Sequence, residues 1–398
     1  MSDHSGEKTA WLPDLLYTGE RFEQGLALVC DKDGRIMRLT REVDEPERVT
    51  HLKNRALLPG LVNAHSHAFQ RVIRGRTERR TGERDSFWTW REMMYSAAKR
   101  LRPEEVYDAS RMAFLEMALG GITAVGEFHY LHHGPDGAPY ADPNLLAKEV
   151  IRAALDVGLR IALLRVAYAR SGYLAEPHPG QARFIEADPQ TYLDNLARLD
   201  QELRSGDESR AWAGIALHSV RALPLAYLQE VARFSEANDH CFPIHMHLAE
   251  QPAEVSACLE EHGRTPVRLL EDARELELHM RLARMERAVL APSTDDSPAA
   301  LAARLFTPAT AGGAESTGAP GGRLEAGRPA DFFTVDLSDP SLAGASKDDL
   351  LASIVFSLSR TAIRDVYVGG KPIVTEGRHK SQHEIVERFA ALQKRLWS

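Results

Sequence analysis

Two histidines one residue apart, His65 and His67, close an apolar run that begins at Leu58 (Leu-Pro-Gly-Leu-Val-Asn-Ala-His-Ser-His). Strand side chains repeat with period two, so both imidazoles leave one face a few ångströms apart. Neutral imidazole suits zinc, iron and nickel, and two imidazoles buried without partners would be costly. The pair therefore reads as part of a metal claw at the C-terminal end of a buried strand. A second apolar run ends in His245-Met-His-Leu-Ala-Glu250. His247 completes a three-histidine set with His65 and His67, and the metal expected is one Zn²⁺-like divalent ion. Zinc lowers the pKa of a bound water to about 7. Glu250, in the next loop or first helical turn, is the group expected to carry the proton to the leaving group. His245 is expected behind the ligands or simply packed.

A third cluster is His218-Ser-Val-Arg221. The arginine makes this strand end a candidate anion-binding or polarising site, because guanidinium forks grip carboxylates through two parallel hydrogen bonds. Arg91, in Phe87-Trp-Thr-Trp-Arg91, reads either as a substrate contact or as a surface ion-pair partner. Tyr130 ends a further strand and can donate to a ligand, whereas His132 and His133 read as loop residues. Cys30, Cys241 and Cys258 lack C-x-x-C spacing and read as structural. No glycine-rich phosphate loop stands between a strand and a helix.

The elements that position these groups alternate along the middle of the chain. Helical stretches Pro103–Gly120, Asn144–Val157, Pro189–Arg204 and Leu225–Ala237 separate strands Ile122–His129, Arg160–Ala167, Ala213–His218 and Phe242–His247. Short apolar strands alternating with amphipathic helices predict an α/β fold with a parallel sheet, whose chemistry sits at the C-terminal strand ends. The chemical residues fall there, so the expected fold is a TIM-like (β/α) barrel. Only about five strands are recognisable, because Pro252–Leu290 reads as helix, including a stripe at Leu278, Leu282, Met285 and Val289. Pro308–Gly322 reads as linker. The segments Leu26–Cys30, Arg35–Leu39, Asp331–Asp336 and Asp365–Val374 read as strands, so both termini are expected to build one small β-sandwich domain. The expected division is 1–57 and 307–398 for that domain and 58–306 for the barrel, the latter lacking strands six to eight.

Bulk properties narrow the function. The chain is 398 residues long, 43% apolar and 27% charged, with net charge −8 and pI near 6.1. That balance argues against a nucleic-acid or anionic-membrane surface and leaves room for a local basic pocket and a small anionic substrate. Three widely spaced cysteines argue for a reducing compartment, no signal peptide is visible at the polar N-terminus, and no apolar run approaches the ~20 residues of a spanning helix. A cytoplasmic protein is expected, with a homodimer the commonest assembly.

Pro59-Gly-Leu-Val-Asn-Ala-His-Ser-His67 resembles the first barrel strand of the amidohydrolase superfamily, and Gly322-Arg-Leu-Glu-Ala-Gly-Arg-Pro-Ala-Asp331 resembles its C-terminal sheet signature. More narrowly, His65-Ser-His-Ala-Phe-Gln-Arg71, Ser86-Phe-Trp-Thr-Trp-Arg91, Glu127-Phe-His-Tyr130, His218-Ser-Val-Arg221 and His245-Met-His-Leu-Ala-Glu-Gln251 are together similar to the formimidoylglutamate deiminases. The resemblance implies zinc-dependent hydrolysis of N-formimino-L-glutamate to N-formyl-L-glutamate and ammonia, a step of histidine degradation. It implies zinc on His65, His67 and His247, proton transfer by Glu250, and substrate held by Gln70, Arg91, Tyr130, His218 and Arg221, with His218 also polarising. The family pattern further includes a histidine after the sixth strand and an aspartate after the eighth. Neither stretch occurs here: Thr265–Leu270 resembles the helix after strand five, and Glu271–Leu276 resembles the helix after strand eight. An internal deletion near Leu270/Glu271 is the expectation, and loss of that aspartate should weaken metal binding and catalysis. A deaminase of ring substrates and a non-catalytic remnant are the alternatives. An incomplete barrel would also expose edge strands, which favours aggregation or oligomerisation.

Overall fold

A computed structural model describes residues 8–43, 48–76, 87–176, 178–238, 241–271 and 298–398. Five parallel strands form one curled sheet in sequence order: β1 (Leu61–Ser66), β2 (Ile122–His129), β3 (Arg160–Ala167), β4 (Ala211–Leu217) and β5 (Ile244–Met246). All eight residues of β3 are buried, as expected of a strand covered on both faces. The helices between strands are α1 (Phe87–Arg100), α2 (Pro103–Ala118), α3 (Leu145–Val157), α4 (Pro189–Ser205) and α5 (Leu225–Ala237). Their ends follow local chemistry. Pro189 opens α4 while the Asp188 carboxylate accepts from Thr191 N–H at 2.9 Å, and Gly158 ends α3 at φ +98°.

The termini build a second, nine-stranded sheet. Thr9–Tyr17 pairs in parallel with Arg48–Pro59, and Phe332–Asp336 pairs antiparallel to the other side of Arg48–Pro59. Ala27–Cys30 pairs with Ile36–Thr40 as one hairpin, and the run read as a strand over Asp365–Val374 is a second, Ile363–Val368 with Lys371–Thr375 around Gly369-Gly370. The run from Leu58 is not a single strand, because Gly60 divides Arg48–Pro59 from β1. A Cβ at Gly60 would lie 2.3 Å from Thr123 Oγ1 on β2, so only glycine lets the chain cross between sheets there. A buried ion pair ties the two sheets together: Arg160 on β3 donates to Asp331 at 2.6 and 3.1 Å.

The parallel sheet is a half-barrel. Among the described residues, β1 and β5 have no strand partner on their outer sides. The expected helix beyond Pro252 is present as α6 (Pro252–His262) and α7 (Pro266–Glu271), while the stripe from Leu278 to Val289 lies outside the described residues. The segment read as a linker is instead a plug. Pro308–Gly312 forms one π-helical turn and Gly313–Thr317 a short α-helix, packed against β1. Trp212 Nε1 on β4 and His245 Nε2 on β5 donate to the carbonyls of Thr317 and Ser316, both at 2.7 Å. Val62, Ala124, Ala314 and Ala319 make one small apolar cluster inside the curl. The small residues that resembled linker composition are there for close approach: a Cβ on Gly313 would sit 3.0 Å from Val62. Exposure persists at the rim, where Ile244 on β5 is 51% accessible.

Behind the strand ends lies a buried polar network. Arg165 on β3 is fully buried and forks onto Glu186 at 2.5 and 2.8 Å, while its Nε donates to Asn144 at 2.9 Å. Burial acts to raise the Glu186 carboxyl, and His132 and Arg165 outweigh it, holding it at about 2. His132 is itself pushed down to about 3 by burial and by Arg165, so at neutral pH the guanidinium carries that effect. A folded pKa below the unfolded ~4.3 means the stabilisation is complete above ~pH 4.3 and lost as pH falls toward 2. Urea melts at pH 6 and pH 3 should show the first part of this loss, about 2 kcal/mol, and Glu186→Gln should flatten it. Arg165→Met should cost about 3–5 kcal/mol at pH 7 by leaving a buried carboxylate alone. Equal acid slopes for the parent and Glu186→Gln would remove this pair from the account.

Candidate active site

The first residue past each of the five strands faces one cavity: His67, Tyr130, Tyr168, His218 and His247. Gln70, on the 3-10 turn Ala68–Ile73, and Arg91, on α1, reach the same cavity, as do Arg221 and Glu250 from the loops after β4 and β5. Every cavity residue expected from the sequence is therefore brought together. His65 stands beside them in the histidine cluster, on the exposed side of β1.

The three histidines converge through their Nε2 atoms. His65 Nε2 lies 3.1 Å from His67 Nε2 and 3.2 Å from His247 Nε2. Zn–N bonds of ~2.0–2.1 Å at tetrahedral angles place ligand nitrogens ~3.3 Å apart, so the set fits a zinc ion. The tautomer at His67 is fixed by the Phe128 carbonyl 3.0 Å from Nδ1. A carbonyl only accepts, so Nδ1 carries the proton and Nε2 keeps its lone pair for a metal. The Phe128 ring stacks on His247 at 4.2 Å and holds its plane. Burial and the neighbouring His247 push His67 down to about 3, and burial with His65 and Arg221 does the same to His247. Burial also lowers His65. Neutral imidazole is the ligating form. Among the described residues no carboxylate joins this cluster.

Around it stand acid–base and polar groups. Burial raises the Glu250 carboxyl against the opposing charge of Arg221, which suits a group that must both take and return a proton. Its backbone is set by Ala249 in the left-handed region at φ +53°, and its N–H donates to Glu254 at 2.9 Å. His218 is held far below its ordinary pKa by burial, His247 and Arg221. Ser219 Oγ accepts from Ala222 N–H at 3.3 Å and lies 3.1 Å from His218 Nδ1. In the tautomer whose Nδ1 accepts the serine proton, His218 Nε2–H is a donor. Gln70 Nε2 donates to the Tyr130 hydroxyl at 2.6 Å, and Arg221 Nη1 to the Ser171 carbonyl at 2.8 Å.

Other sequence-noted residues take structural roles. His132 and His133 donate to the carbonyls of Val166 and Ile185, and Cys30, Cys241 and Cys258 are free thiols. Trp90, Met94, Tyr95, Tyr168 and Phe184 also line the cavity and were not expected. Tyr168 obeys the same strand-end rule that revealed the others, and Tyr95 lies one helical turn past Arg91 on α1.

A curled βα sheet with a three-histidine donor set and the Glu250 carboxylate at its C-terminal rim is able to hold a metal ion. The chain belongs to the amidohydrolase family, whose sequence profile matches residues 56–280 and 274–373. It is 33% identical to the formimidoylglutamate deiminase of Pseudomonas aeruginosa, over 84% of this chain and 88% of that protein. It is 24% identical to a 5-methylthioadenosine/S-adenosylhomocysteine deaminase of Natronomonas pharaonis, over 80% and 81% of the two chains. An amidohydrolase structure from Brucella melitensis superposes with TM-score 0.84 at 26% identity, covering 98% of this chain and all of that one. An adenosine deaminase from Xanthomonas campestris with bound zinc shares the fold, with TM-score 0.75 at 18% identity over 98% and 99% of the chains. The relatives support a hydrolase of C–N bonds. The Pseudomonas alignment spans 408 columns, yet 84% of 398 residues is about 334, so about 74 columns are filled by that protein alone. That is about two βα units at ~30 residues or more each, and the two family matches meet and overlap at 274–280, just past Leu270/Glu271.

Proposed function

We propose that this chain is a zinc-dependent deiminase of N-formimino-L-glutamate, yielding N-formyl-L-glutamate and ammonia in the cytoplasm. The observation that carries this reading is the placement of two guanidiniums, Arg91 and Arg221, on the cavity that reaches the histidine cluster and Glu250. Two cationic forks match the two carboxylates of a glutamate-derived substrate, whereas a neutral purine offers a carboxylate to neither.

His65, His67 and His247 would hold the zinc, which supplies Lewis-acid polarisation and an acidified water at neutral pH. Arg91 and Arg221 bind the carboxylates and, with Gln70 and Tyr130, orient the formimino group. His218 Nε2–H polarises the group that develops charge as water adds to the C=N carbon. Glu250 takes one proton from the attacking water and gives it to the terminal nitrogen, then takes the hydroxyl proton of the tetrahedral adduct and gives it to the same nitrogen as that nitrogen leaves. The bond from carbon to the terminal nitrogen breaks, ammonia leaves, and the formyl carbonyl forms.

A second reading, a non-catalytic remnant, is favoured by the five-stranded sheet and by a metal cluster that lacks a carboxylate among the described residues. Because Glu250 remains, turnover is expected to survive at a rate about 10²–10⁴-fold below that of a complete deiminase, the usual contribution of one lost base. Ammonia release from N-formimino-L-glutamate, compared with release from adenosine at equal concentration, tests this function. Preference for the linear dianion is expected. Preference for adenosine would make the chain a ring deaminase.

A further inference from the structure

We propose that Gln181 sets the polarity of a carboxylate-binding corner of the cavity by aiming the Tyr95 and Tyr168 hydroxyl protons at the ligand. The inference rests on the dicarboxylate reading above. Gln181 closes the short turn Pro179–Gln181 and is 1% exposed. The structure sets its amide with Oε1 toward Ser171 and Nε2 toward the two phenols. Ser171 Oγ accepts from His178 N–H at 2.8 Å and donates to Gln181 Oε1 at 2.6 Å. Both hydrogens of Gln181 Nε2 are then directed at phenol oxygens, Tyr95 at 2.8 Å and Tyr168 at 2.5 Å.

A phenol that accepts from an amide keeps its own proton for another acceptor. Burial raises the Tyr95 pKa, so that proton is retained at neutral pH. Both rings line the cavity beside Arg91 and Arg221. Arg221 is fastened to the same segment through the Ser171 carbonyl, and the Arg91 guanidinium lies 5.6 Å from the Tyr95 ring centre. The corner thus presents two guanidiniums and two O–H donors, a set that answers a carboxylate and not a neutral ring. Gln181 is a positioning residue here, acting through the two tyrosines.

Gln181→Glu is the informative variant. It keeps size and shape but accepts both phenol protons, which turns the oxygen lone pairs toward the ligand. Gln181→Met keeps the volume and leaves the hydroxyls without direction. The measurements are glutarate binding by calorimetry to the zinc-supplied 398-residue chain, KM and kcat for N-formimino-L-glutamate, and the melting temperature. Gln181→Glu should weaken glutarate at least about tenfold and raise KM in step, as expected for reversed charge-assisted hydrogen bonds. Its kcat and melting temperature should stay near the parent values, with Gln181→Met in between. Tyr95→Phe and Tyr168→Phe should each reproduce part of the loss, whether or not the Gln181 variants fold. Glutarate binding unchanged in Gln181→Glu, or in both phenylalanine variants, overturns the proposal alone. A parent chain that binds no glutarate overturns the dicarboxylate reading with it.

Discussion

Replacing His67 by alanine is expected to remove stoichiometric zinc and, with it, turnover. His67 is the proposed ligand whose tautomer the Phe128 carbonyl fixes, and its Nε2 lies 3.1 Å from that of His65. Losing a partner behind a metal ligand costs about 10–100-fold in affinity, so losing the ligand itself from a three-histidine set should exceed that range. Metal content after gel filtration, and zinc competition against a chromophoric chelator, measure the effect. His67 is buried against Phe128 and Tyr130, so a melting curve of the metal-stripped variant accompanies the assay. His67→Ala that keeps parent zinc affinity would move the metal site elsewhere. His245→Ala is a useful contrast, because that imidazole is committed to the Ser316 carbonyl and should leave zinc binding nearly intact.

Glu250→Gln is expected to lower kcat about 10²–10⁴-fold, the range for loss of a positioned acid–base group. Zinc content and KM should barely change, since the amide keeps the shape of the carboxylate but cannot take a proton. The parent enzyme should gain activity with rising pH through a midpoint above that of an ordinary glutamate, because burial outweighs Arg221 in setting the Glu250 carboxyl. A rate profile together with a metal assay on each variant separates this role from a structural one. Parent-like turnover by Glu250→Gln would take Glu250 out of the chemistry.

Much of this site was legible in the sequence because it follows a single rule of parallel βα sheets, that strand ends carry the chemistry. His67, Tyr130, His218 and His247 were found that way, and His65 by its two-residue spacing from His67. Tyr168 follows the same rule, but a single tyrosine just past an apolar strand end reads as readily as packing. Gln181 and Tyr95 were hidden for another reason. Their importance lies in partners 10 to 86 positions away, and no local period encodes that. Helix bounds were read closely where caps are local, as at Pro189 and Gly158. The plug Pro308–Thr317 was misread because glycine and alanine serve equally for a flexible linker and for close packing against a strand. Strand β5 is shorter than its apolar run because Pro243 offers no N–H at that point of the ladder. The five parallel strands among the described residues match the count read from the sequence, where the stretch before the terminal sheet is too short for three further βα units of about 30 residues each.

The central claim is that three histidines and Glu250 on a half-barrel suffice for zinc-dependent deimination. Ammonia release from N-formimino-L-glutamate by the 398-residue chain, metal-stripped and then resupplied with zinc, tests it most directly. Slow release that returns with zinc and disappears in Glu250→Gln is expected. No release from folded, zinc-loaded protein would contradict it, and would leave the family relationship as ancestry without this activity.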